Sequence, residues 1–328
     1  MVVDLPGVSI VVIGRNEEKN LSECFRSILT IDYPSEKLEV IYVDTGSSDK
    51  SMDIARKFNV RVVEEHSEFP TPGLARNRGI REAKNDIIHF VDGDMTLDKE
   101  YLKNAIGILG KNNIACVIGN VSERRAHSSF FARVLSHPWR SRKTGFINAP
   151  GAGGTFLRTV LTELGGYHHG IRYGEETELG FRILKAGYKI YMIDHEMGTH
   201  DYDINSFFDL FKQSIMMGKS FGNVLVLPPM PSYHDLQKRA KNILIQGTVV
   251  FAIAIFLVAG KQPLYLLCIP IILVIYVVVH YRREYFVQRD WHTLLYYMFM
   301  HFCKPFVFYG ALSYLFRYLM KKMLLIDL

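Results

Sequence analysis

"IIHFVDGDMTLDKEYL", residues Ile87 to Leu102, is an apolar run that ends abruptly in two acids flanking one glycine, Asp92-Gly93-Asp94. A run this short, bounded by a turn, suits a buried strand better than a helix. Upstream the pattern repeats. "VSIVVIG" (Val8 to Gly14), "LEVIYVD" and "VRVVEE" are further short runs rich in β-branched residues. Between them lie "EEKNLSECFRSILT", with Leu21, Phe25, Ile28 and Leu29 on one helical face, then "KSMDIARKF" and "GLARNRGIREA". Strands alternating with helices through short connections call for a parallel sheet covered by helices, and such a sheet holds its ligands at the carboxyl ends of its strands.

That rule locates the chemistry. Asp44 ends "VIYVD" and is followed by the small polar turn "TGSSD", while Asp92 and Asp94 end another strand. Acids therefore stand where a nucleotide would be held. No G-x-G-x-x-G follows the first strand and no G-K-[ST] is present, so neither a dinucleotide fingerprint nor a P-loop handles the phosphates. A divalent cation, Mn²⁺ or Mg²⁺, does so with oxygen ligands from one or two carboxylates plus the substrate's own phosphates. The glycine in Asp-Gly-Asp lets the backbone pass close to the ligand while both acids reach one point. A D-x-D alone is a common solvated turn; its place after an apolar strand, with Asp44 nearby, gives it weight.

The chain has 328 residues and a formal net charge of +6, room for one large domain and something smaller. The expected division is a catalytic domain over 1–227, a basic linker over 228–242 and an apolar region over 243–328. Cys24, Cys116, Cys268 and Cys303 have neither paired nor metal-type spacing, which fits reduced thiols. "MVVDLPGVSIVVIG" lacks a basic n-region and a cleavage site, so it reads as a strand and not as a signal peptide. The basic excess sits beside apolar segments and points away from nucleic acid as a partner.

"VSIVVIGRNEEKNL", "VIYVDTGSSDKSMDIA", "GLARNRGIREA", "IIHFVDGDMTLDKEYL" and "GEETELGFRILKAGYKI" resemble, in order and spacing, the motifs of family 2 glycosyltransferases with the GT-A fold. The resemblance covers Val8 to His200. It implies a Rossmann-like, mostly parallel α/β sheet, a nucleotide-diphospho-sugar donor, a divalent metal at the D-x-D, and inversion at the anomeric carbon, a hexosyltransferase-type reaction. Carried over motif by motif, Asp44 is similar to the acid that reads the base, uracil in a UDP-sugar, through its ring N–H. Arg15 and Glu17 are similar to residues lining the same pocket, and Arg76 to the arginine that approaches base and diphosphate. Asp92 would contact ribose or metal, Asp94 the metal, and His200 the metal or diphosphate.

Direct inversion needs a carboxylate opposite the leaving diphosphate to take the acceptor's proton. Family members show Glu-Asp at "YGEETELGFR", whereas this chain has Glu175 and Glu176. Register favours Glu176; the longer side chain keeps Glu175 in contention. Glu178 and Arg182, four apart, would pair on one helix face. Trp139, Arg140, Arg142 and Lys143 form a candidate basic cover, and "GGTFLR" resembles the segment that floors the acceptor side.

Beyond the linker the sequence turns apolar. Ile243 to Gly260 is about 18 residues without a charge, about 27 Å as a helix, and Leu264 to Val279 is a second run. Thr293 to Met320 is long enough for a third but holds Lys304, Pro305, Gly310 and Arg317. Basic residues flanking the first two runs place a multi-pass protein in the cell (plasma) membrane bilayer with its catalytic domain cytosolic. "LFKQSIMMGKSFG" resembles a segment of bacterial exopolysaccharide-unit glycosyltransferases, which implies single additions to a polyprenyl-linked acceptor. The alternatives are transfer to polyprenyl phosphate, as in dolichol-phosphate-sugar synthases, a nucleotidyltransferase, and a non-catalytic nucleotide-sugar receptor.

Overall fold

A computed structural model describes residues 5–124, 144–151, 153–172, 174–201, 206–226, 234–259 and 305–320. The described residues up to Arg124 and from 144 to Asp201 form one compact unit, and those from 206 onward a second. In the first unit β1 (Val8–Gly14) pairs in parallel with β2 (Leu38–Asp44) and β4 (Ile87–Asp92), and β3 (Arg61–Glu64) pairs in parallel with β2. Val8, Ile10 and Val12 of β1 enter one apolar cluster while Val11 and Ile13 enter another, so both faces of the sheet are covered. This is why β1 reads as a continuous apolar run and not as an alternation.

The covering helices are α1 (Leu21–Leu29), α2 (Ser51–Ala55) and α3 (Pro72–Glu82). In α1, Leu21, Cys24, Phe25 and Ile28 are buried. Leu29, expected on the same face, is 46% exposed because the helix ends there and the chain turns away at Thr30. Thr71 caps α3 by accepting the Leu74 N–H at 3.2 Å, with Pro72 in the first turn, where its missing donor costs nothing.

The strand order β3-β2-β1-β4 reverses direction at β1. Chain ends diverge there and leave a crevice beyond the strands' carboxyl ends. Ile13 of β1 stands opposite Asp92 of β4, and the Gly93 N–H donates to the Ile13 carbonyl at 2.8 Å. The sheet then continues through antiparallel partners that the β-α reading did not anticipate. β8 (Gly154–Leu157) joins β4 to β6 (Ile114–Glu123), and β9 (Lys189–His200) runs parallel to β6. β5 (Met95–Leu97) and β7 (Gly145–Ile147) both pair antiparallel with β9. Three more helices complete the unit: α4 (Tyr101–Ile106), α5 (Arg158–Glu163) and α6 (Glu175–Lys185). Cys24 and Cys116 are buried free thiols.

The second unit contributes α7 (Phe207–Val226), α8 (His234–Ala259) and a helix over 305–320, here α9. Among the described residues no helix is long and apolar enough to cross a membrane. This contradicts the multi-pass plasma-membrane placement, and neither the bilayer as a partner nor a membrane-spanning region within 243–328 is shown. The reason lies within α8. Its first half carries Asp235, Lys238, Arg239 and Lys241, and Gln246, Gly247 and Thr248 interrupt the rest. What remains uninterrupted, Val249 to Ala259, is about 17 Å long, against a hydrocarbon core of about 30 Å. The run from Leu264 to Val279 lies outside the described residues.

Candidate active site

The crevice at the β1/β4 reversal is a cleft of about 450 Å³, and Arg15, Glu17, Arg76, Asp92, Asp94, Glu175 and Glu176 all line it. Residues from four motifs thus converge on one place. The strand ends deliver Arg15, Glu17, Asp92 and Asp94, helix α3 delivers Arg76, and the start of α6 delivers both glutamates.

The acids after β4 meet the end of β9. Met95 pairs with His200, which brings His200 Nε2 to 3.3 Å from Asp94 Oδ2. One ligand atom from each of Asp92, Asp94 and His200 falls within a 4.8 Å cluster. Burial pushes the Asp94 carboxyl up to about 6; His200 opposes this and Asp92 adds to it. Glu17 is pushed further, to about 8, by burial first and then by the charges of Asp94 and Asp92. Asp94 Oδ1 is buried with no hydrogen-bond partner among the described residues. Crowded, desolvated acids with an unused inward-facing oxygen are what a hard cation requires, so the residues present fit a divalent metal. Gly93 serves this crowding, since a Cβ there would lie 3.0 Å from Glu17 Cγ and 3.3 Å from the Ile13 carbonyl oxygen.

Arg76 is 1% exposed, and both terminal nitrogens of its guanidinium are engaged by carboxylates. Nη1 donates to Glu175 Oε1 at 2.9 Å and to Glu176 Oε1 at 3.4 Å, and Nη2 donates to Asp92 Oδ1 at 3.0 Å. Its guanidinium carbon lies 5.2 Å from the centre of the Tyr167 ring. Arg76 therefore joins the metal loop to the glutamate pair. Glu175 is 2% exposed, and burial together with the adjacent Glu176 pushes its carboxyl up to about 8 against the pull of Arg76. Glu178 and Arg182 pair as expected, with Nε to Oε1 at 2.8 Å and Nη2 to Oε2 at 2.6 Å.

Asp44 is brought to the edge of the crevice but is 2% exposed, and Thr45, not Asp44, lines the cleft. Its Oδ1 accepts the N–H groups of Gly46 at 2.9 Å and Ser47 at 2.8 Å. Its Oδ2 accepts the hydroxyls of Tyr42 at 2.9 Å and Ser47 at 2.5 Å. Four donors fill the four acceptor sites of a carboxylate, so Asp44 braces the turn after β2. His195 lies apart from the cluster, with Nε2 3.0 Å from Asp98 Oδ1. Trp139, Arg140, Arg142 and Lys143 lie outside the described residues.

Sequence reasoning missed two residues. Arg172 lines the cleft and, like Arg15, makes no ion pair among the described residues. Its closeness to the Glu-Glu pair in sequence was the available signal. Arg124 donates to the Asp94 carbonyl at 3.0 Å and to Thr199 Oγ1 at 3.2 Å, tying the metal loop to β9, and nothing in its local sequence marks it.

Residues 9–161 match the family described as Glycosyl transferase family 2, so the chain carries a domain of that family, and it is an enzyme of the glycosyltransferase class. It is similar to Glycosyltransferase AglE of Haloferax volcanii, 25% identical over 272 residues, covering 80% of this chain and 84% of that protein. Another relative is the dolichyl N-acetyl-alpha-D-glucosaminyl phosphate 3-beta-D-2,3-diacetamido-2,3-dideoxy-beta-D-glucuronosyltransferase of Methanococcus voltae, 24% identical over 306 residues, covering 82% of this chain and 93% of that protein. Among solved structures, the mannosyltransferase PcManGT from Pyrobaculum calidifontis in complex with GDP-Man and Mn²⁺ superposes with a TM-score of 0.62 at 18% identity, covering 95% of this chain and 88% of that one. That likeness identifies the fold as GT-A-like.

Proposed function

We propose that this chain transfers one sugar, with inversion, from a nucleotide-diphospho-sugar to a hydroxyl of a saccharide carried on a prenyl phosphate, with Glu176 as the base. The observation that carries the reading is the position of Glu176. It lines the 450 Å³ cleft and also a second cleft of about 550 Å³ formed with residues 144–149, Gly151 and Thr177. A base for direct displacement has to stand between donor and acceptor. Glu176 takes the proton of the acceptor hydroxyl, whose oxygen bonds to the anomeric carbon as the bond to the diphosphate oxygen breaks. The electron pair leaves with the diphosphate. Glu175, buried and holding its own proton, cannot accept a second one and is the poorer base.

Asp92, Asp94 and His200 would hold the divalent cation, with the imidazole favouring Mn²⁺ over an all-oxygen Mg²⁺ site. Bound there, the ion offsets the charge of the departing diphosphate. Arg15 and Arg172 supply the remaining positive charge, since Arg76 is occupied by three carboxylates. Because Asp44 has no acceptor site left, contact with the base passes to Thr45 and the loop after β1. The prenyl-phosphate acceptor is supported by the dolichyl N-acetyl-alpha-D-glucosaminyl phosphate for which the Methanococcus voltae relative is named.

The test is a panel of UDP- and GDP-sugars with Mn²⁺ or Mg²⁺ and a lipid extract, scored for nucleoside diphosphate and for sugar moved to lipid. Pyrophosphate as the product would make the chain a nucleotidyltransferase, and the absence of any turnover across the panel would defeat the proposal. Asp94→Asn is expected to weaken Mn²⁺ binding by about 10–100-fold in calorimetry without unfolding the protein. Unchanged affinity would remove Asp94 from the ligand set.

A pH dependence follows from Glu175. Its folded value of about 8 lies above the ordinary 4.5, so the native state keeps a proton that the unfolded chain gives up. Stability is therefore full below about pH 4.5 and falls as pH rises toward 8. In metal-free denaturant titrations we expect a loss of at least about 1 kcal/mol between pH 5 and 8, reduced in Glu175→Gln. An equal slope in the variant would show that Glu175 does not carry the effect.

A further inference from the structure

The second cleft has features that the transfer reaction alone does not require. Its outer wall carries Phe146, which is 62% exposed, on the edge strand β7. An exposed apolar side chain is ordinary by itself. This one is held in place: its ring meets the edge of Tyr191 opposite it on β9, with centroids 5.3 Å apart at 79°, and the Lys189 ammonium sits 5.2 Å from its centre. The inner wall is equally fixed. A Cβ on Gly180 would lie 2.6 Å from the Asn148 carbonyl oxygen and 2.8 Å from Ala149 Cα, so α6 rests directly on the segment that follows β7. The helix that carries Glu176 thus sets the width of this cleft.

We infer that this cleft is the acceptor subsite and that Phe146 is the platform on which a glycosyl ring of the acceptor stacks, its hydroxyl turned toward Glu176. The chemistry of the lining favours a sugar. Small polar groups, Thr144, Asn148 and Thr177, offer hydrogen bonds to hydroxyls, while one ordered aromatic face takes the apolar C–H side of a pyranose. A lipid chain would instead need a continuous apolar channel, which these residues do not form. The inference rests on the donor lying in the first cleft with Glu176 between the two.

Saturation-transfer NMR on the full chain tests it, with UDP or GDP in one arm, methyl β-glucoside and methyl N-acetyl-β-glucosaminide in the second, and butyl phosphate in the third. The expected result is transfer to the glycoside ring protons, with Kd raised roughly tenfold in Phe146→Ala and kept within about threefold in Phe146→Trp. Nucleotide signals should be the same in all three proteins, which also shows that the variants are folded. Equal glycoside affinity in wild type and Phe146→Ala overturns the inference, as does a response only from butyl phosphate, or nucleotide binding with no glycoside response. Absence of nucleotide binding in the wild type would instead overturn the donor reading, and this inference with it.

Discussion

Replacing Glu176 by Gln will lower sugar transfer by about 10²–10⁴-fold while leaving donor affinity within a few-fold of wild type. The amide keeps the size and most of the hydrogen bonding of the carboxylate, including a contact toward Arg76, but cannot take a proton from the acceptor. Glu175→Gln should be milder. Its carboxyl is buried behind Arg76 and pushed up to about 8, so it already behaves largely as the neutral group that glutamine mimics. Transfer kinetics with the donor at saturation, and donor binding by calorimetry, separate the two variants. If Glu175→Gln proved the more damaging, the base would move one residue back. Near-normal transfer in the double variant would leave no base in this motif and end the mechanism as written.

Local pattern made half of this architecture legible. The runs around Val8–Gly14, Leu38–Asp44 and Ile87–Asp92 read as strands because both of their faces are buried, and the rule about carboxyl ends then placed Asp92 and Asp94 in the cleft. The other half depended on contacts distant in sequence. Strands β5, β7, β8 and β9 are short or bulged and pair antiparallel across long separations, so no periodicity in any one of them shows its partner. The same limit explains the two site residues that changed character. Arg76 reads as a free cation in "ARN", yet its carboxylates lie 16, 99 and 100 residues away. Asp44 reads as an available acid, yet the turn "TGSSD" folds back its own donors onto it. In the tail, the absence of charge from Ile243 to Gly260 outweighed the polar interruption at Gln246–Thr248, and the expectation of a membrane span there failed for that reason.

Arg76→Met will destabilise the protein by about 3–5 kcal/mol in equilibrium denaturation at neutral pH, because it removes one partner of a buried ionic cluster and leaves the others uncompensated. Three carboxylates share this one guanidinium, at 2.9, 3.4 and 3.0 Å, and the arginine itself is almost wholly out of water. Methionine fills much of the same volume, so the loss will reflect charge more than cavity. Arg76→Lys will not rescue function. A single ammonium cannot donate along two diverging directions to α6 and to Asp92 at once, so kcat should stay depressed even where stability partly returns. Adding Asp92→Asn to Arg76→Met removes one of the stranded charges, and the double variant should recover at least about 1 kcal/mol relative to Arg76→Met alone. Strict additivity in that cycle, or an Arg76→Met variant within about 1 kcal/mol of wild type, would mean that the three acids do not depend on Arg76 and that its place between the metal loop and the glutamate pair carries no energetic weight.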